Sequence, residues 1–81
     1  MGLSDLAERL TEYRSRLAAG KAEQIHADDV EFVIDKLRAR RGKLTDRLDA
    51  QECEDERVVL ERKLAKVDDL IVQAEWLRDE L

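Results

Sequence analysis

Residues 28–50 read DDVEFVIDKLRARRGKLTDRLDA, and residues 55–80 read DERVVLERKLAKVDDLIVQAEWLRDE. In the first stretch Val30, Val33, Ile34, Leu37, Leu44 and Leu48 share one face at about 100° per residue, the period of an amphipathic helix. In the second, Leu60, Leu64, Val67, Ile71 and Ala74 form a stripe, joined by Leu70, Leu77 and Leu81. The two stripes mirror each other about a midpoint near Cys53 and Glu54. Leu48 then faces Leu60, Leu44 faces Leu64, and Leu37 faces Leu70 or Ile71. Further out, Ile34 faces Ala74 and Val30 faces Leu77. Such a mirror predicts an antiparallel αα-hairpin whose tip is the polar run 51–56. Gly42 has two readings. It either ends a helix, with Thr45 capping a new and very long one, or it is an internal glycine facing Ala65 where two backbones come close.

Upstream of the hairpin, Ser4 reads as the N-cap of a helix over 4–19, with Asp5 and Glu8 near the positive end of its dipole. Leu3, Leu6, Leu10, Tyr13 and Leu17 alternate spacings of three and four, a narrow seam suited to one or two neighbouring helices. Gly20 stops that helix in the position that favours positive φ. Residues 21–27 read as a connection. Asp28 reads as the N-cap of the second helix, with Glu31 three residues on in a capping-box arrangement. The expected fold is all-α: one domain over 1–81, with helices at about 4–19, 28–50 and 55–80. A short N-terminal helix precedes a longer hairpin, and the unit is expected to dimerise as a helical bundle.

Composition agrees. Of 81 residues, 43% are charged and 43% hydrophobic, with no proline, no asparagine and three glycines, a makeup that favours charge-covered helices over strands and turns. A lone Cys excludes an internal disulfide, and no uncharged apolar run approaches the ~20 residues of a membrane span. No secretory signal is legible, so the expected setting is reducing cytoplasm without a membrane. A chain this short buries only about 60% of its unfolded surface, and small scaffolds often recover stability by oligomerising.

Candidate chemistry is thin. Glu23-Gln24-Ile25-His26 matches Glu-x-x-His, half of a di-iron site, but it falls in the connection and lacks carboxylates from further helices. Cys53 lies among Glu52, Glu54, Asp55 and Glu56, whose charges disfavour a thiolate. No nucleophile constellation or phosphate loop is present. The expectation is a non-enzymatic protein with no cofactor and no metal.

Two surfaces are left. Lys36, Arg40, Lys43 and Arg47 recur at i, i+4, i+7 and i+11 on one side of the second helix, a candidate nucleic-acid contact within a chain of net charge −5. Alternatively these cations flank the hairpin and pair with acidic residues of the third helix. On the third helix Val58, Ala65, Val72 and Trp76 lie opposite the main stripe, and on the second Phe32 points away from its own, sharing a face with Ile25 and Ala39. The first helix can cover only one surplus face, and Phe32's face is the one expected to receive the Leu3/Leu6/Leu10 seam. Val58, Ala65, Val72, Trp76 and Phe32 are therefore the candidate protein interface. The expected role is a helical interaction module (adaptor, assembly factor or inhibitor), homodimeric and engaging an unidentified protein. The alternatives are a small nucleic-acid-associated regulator and, more remotely, a metal-binding bundle.

Overall fold

A computed structural model describes residues 2–81, and the first helix in it starts earlier than Ser4 suggests. Gly2 is extended, with φ −81° and ψ 167°, and acts as N-cap of α1, Leu3–Ala18. The Asp5 carboxylate accepts the Gly2 amide hydrogen at 3.2 Å, the reciprocal half of a capping box. Ser4 is left exposed in the first turn. At the far end Gly20 has φ +76°. Its N–H donates to Leu17 O at 3.0 Å and that of Lys21 to Arg16 O at 2.9 Å, the two bonds of a Schellman stop. A single 3₁₀ turn, Ala22–Gln24, follows. Ile25 then pins the connection by inserting into the core.

Helix α2 spans Ala27–Ala50 and α3 spans Glu54–Glu80. The N-cap of α2 is His26, not Asp28. Asp28 and Asp29 sit in the first turn, where they oppose the dipole without capping it. The Asp28–Glu31 capping box does not form, because Glu31 accepts a hydrogen bond from Arg78 Nη1 of α3 at 3.2 Å. That bond raises the Arg78 pKa above its ordinary value.

The predicted hairpin is present, and α2 and α3 form its two antiparallel arms. Every stripe position paired above is buried except Leu48 and Leu64, which are partly buried against the core. Leu81 does not extend the stripe. It follows the last turn of α3 and is 43% exposed. The tip is shorter than the polar run implies, since Glu54, Asp55 and Glu56 form the first turn of α3, where three carboxylates meet a positive dipole end. Only residues 51–53 connect the helices. No glycine is needed, because Gln51 and Cys53 are extended, at ψ 124° and 121°. Arg57 reaches back instead, donating from Nη1 to Leu48 O at 3.0 Å and Gln51 O at 3.1 Å. One guanidinium thus caps the end of α2, adding to the Gln51 N–H that also reaches Leu48 O at 3.2 Å.

Helix α1 lays Leu6, Leu10 and Tyr13 onto the hairpin, and one aliphatic core results. Among the described residues no polar or charged side chain is buried in it. With 16 residues against 24 and 27, α1 is about 24 Å long beside helices of about 36–40 Å. The hairpin therefore outruns its cover. Leu44 and Leu60 keep 7% and 9% exposure where Val33, Leu37 and Val67 have none.

Gly42 is internal to α2 but faces solvent, with no atom within 4 Å of where its Cβ would be. Ala65 is exposed as well, so the expected close approach of the two is wrong. The stripe phase explains it: Gly42 lies some 120° from Val30 on the wheel, outside the core arc. Gly42→Ala is expected to raise stability by about 0.5–1 kcal/mol. Gly20→Ala, also free of contacts but at positive φ, should lower it by about 1–2 kcal/mol. Urea denaturation reads both. A loss at Gly42 would contradict an uninterrupted α2.

Candidate interaction surfaces

The outer face of α3 carries the largest exposed apolar side chains. Val72 is 67% and Trp76 50% exposed near one end, and Val58 is 44% exposed near the other. From Val58 to Trp76 the face runs about 27 Å. Arg62, Ala65 and Asp69 fall between its apolar ends at helical spacing. The Trp76 end abuts α1. Arg14, Val72, Gln73 and Trp76 line one hollow, and Thr11, Arg14, Ser15, Leu17, Ala18 and Trp76 line its neighbour. A polar clasp fixes this junction: Arg14 Nη1 donates to Gln73 Oε1 at 3.0 Å, and Gln73 Nε2 donates to Asp69 Oδ2 at 2.8 Å.

Phe32 lies on the other flank of α1 and is 42% exposed. Arg9 of α1 stands 5.9 Å and Lys36 5.4 Å from its ring centroid, so two cations neighbour the ring. Leu6 and Leu10 of the α1 seam go instead into the main core.

The basic island of α2 divides in two. Arg41 Nε forms an ion pair with Asp68 Oδ1 of α3 at 2.8 Å, and Arg38 lies 4.0 Å from Glu75. These cations tie the hairpin together. Lys36, Arg40, Lys43 and Arg47 point to the other side and line one hollow with Leu6, Ala39 and Leu44, at the start of α1. A second hollow continues toward the tip, lined by Arg47, Ala50, Gln51, Glu56, Val59, Leu60 and Lys63. The two meet at Arg47. Together they make a furrow in the lane that α1 vacates, with cations on both rims and leucines on its floor. Sequence reasoning found the four α2 cations but missed Lys63, Val59 and the floor. The signal was available in the seam of the first helix, which is too short for the stripes it covers.

No protein-family model matches the chain, and no curated protein or solved structure is significantly similar to it.

The remaining candidates stay apart from both surfaces. Glu23 lies in the 3₁₀ turn and His26 caps α2, both exposed. Among the described residues no three His, Cys, Asp or Glu side chains are grouped as metal ligands. Cys53 is exposed at the hairpin tip, its N–H donating to Gln51 Oε1 at 3.2 Å. No helix among the described residues is long and apolar enough to cross a membrane.

Proposed function

We propose that this chain is a non-enzymatic helical interaction module that pairs with a second copy of itself through the outer face of α3 and serves as an adaptor, assembly factor or inhibitor. The observation that carries the reading is the exposure of Val72 and Trp76 on a helix whose opposite side is already spent on a dry core. Apolar area left in water forfeits about 25 cal/mol per Å², which a matching face recovers. The face matches itself in one orientation. With the two α3 helices antiparallel about an axis at Ala65, Val72 meets the partner's Val58, and Arg62 comes close to the partner's Asp69. A parallel pair would set Arg62 against Arg62 and Asp69 against Asp69, each a like-charge contact. Light scattering across a dilution series tests this. A mass near twice 9.4 kDa that falls on dilution supports it, and a monomer at every concentration rejects it.

Nucleic acid is the rival partner, favoured by the gathering of four cations around one hollow. Against it stand the net charge of −5, a floor of leucines, and a furrow lining without an aromatic ring to stack a base. Labelled duplex and single strands should therefore not bind at physiological salt. Micromolar binding with a steep salt slope, removed by Lys43→Glu with Arg47→Glu, would make the rival the better reading.

A further inference from the structure

The furrow beyond α1 is an incomplete three-helix bundle. Its walls are α2 and α3, its floor includes Leu44 and Leu60, and one end is set by Leu6 of α1. Its rims carry Lys36, Arg40, Lys43 and Arg47 on α2 and Lys63 on α3, against one carboxylate, Glu56, at the tip end. Five cations against one carboxylate is a strong local reversal in a chain whose net charge is −5.

We infer that this furrow docks an acidic amphipathic helix of a partner protein, about three turns long, lying in line with α1. The apolar face of such a helix covers Leu44, Leu60 and Val59, as the α1 seam covers the other end of the hairpin core. Its carboxylates, at spacings of three and four, meet the α2 cations, which climb about 16 Å from Lys36 to Arg47. Apolar floor and cationic rim each demand something of the ligand, and one helix with an aliphatic stripe between rows of Glu meets both demands. A bare phosphate strand meets only the second. The furrow lies on the α1 side of the hairpin, while the Val58–Trp76 face looks outward. Docking here therefore does not depend on pairing through α3.

The test uses the whole protein and a synthetic helical probe of about 12 residues, capped at both ends, with leucines along one stripe and Glu on its flanks. Fluorescence anisotropy should show saturable one-to-one binding that weakens with salt. Lys43→Glu with Arg47→Glu, both exposed positions, should weaken it about tenfold or more. Circular dichroism of that variant establishes that the fold is retained, and if it is not, Lys63→Glu on the opposite rim takes its place. A probe with Ser for Leu, or Lys for Glu, should not bind. Val72→Lys, which addresses the α3 pairing alone, should bind the probe as the parent does, so the two readings fail separately. The inference is overturned by absence of probe binding, by binding indifferent to the rim charges, or by single-stranded DNA binding more tightly than the probe.

Discussion

Val72→Lys should convert a dimer into a monomer. The lysine puts a charge where, in the antiparallel arrangement, Val72 of one copy packs on Val58 of the other, and two-fold symmetry doubles every defect. Each interface then carries two buried ammonium groups without partners, a loss of several kcal/mol that dissociates a complex of modest size. Light scattering should report the mass falling from about twice 9.4 kDa to 9.4 kDa. Trp76 emission should shift to the red as its ring enters water. The charges between the apolar ends give a sharper check on orientation. Asp69→Arg alone should weaken pairing, and adding Arg62→Asp should restore it, because exchanging the signs recreates the pair. Failure of the double variant to recover the dimer would discard the antiparallel register, even if dimerisation itself stands.

Leu37→Ala should cost about 2–5 kcal/mol, the range for emptying a sealed leucine site. Leu37 has no exposed surface and belongs to the one core of the chain, where α1 also docks. Total stability for 81 residues is of the order of 4–12 kcal/mol, so this substitution removes a large share of it. The urea midpoint should fall steeply, with α1 released along with the hairpin. Leu48→Ala, at a partly buried position near the tip, should cost much less. Equal losses at the two sites would mean that the distal hairpin is covered in solution by something other than α1.

The hairpin was legible because its stripes are long and periodic, and periodicity over more than twenty residues outweighs any local ambiguity. The placement of the ends was not. Ser4 and Asp28 are good caps in isolation, yet Asp5 reaches back to Gly2, and Glu31 is drawn across to Arg78. Both outcomes turn on a neighbour that a propensity scale does not include. Gly42 was ambiguous for a different reason. Glycine marks close approach, termination or nothing, and only the phase of the finished helix separates them. The exposed ridge on α3 was visible as a second apolar arc, and Val72 and Trp76 are indeed its most open members. The furrow was hidden because it belongs to no single helix. It arises from the difference in length between α1 and the hairpin, and from the division of one basic island between two sides of α2.

The interior is built of aliphatic residues and one tyrosine, and none of its described members is polar. Such a core still fixes alignment, since sliding one helix past the other by two turns would set Leu37 against Arg78 in one direction or Leu44 against Arg57 in the other. The joint adds a further barrier to slippage. Three extended residues bridge α2 and α3, and Arg57 grips the Leu48 carbonyl nine positions back. A shifted hairpin would need slack that the bridge does not have, and it would break that grip. Registry in this molecule is therefore fixed more than once, by the stripes, by the ion pairs along the hairpin and by the short span of its tip.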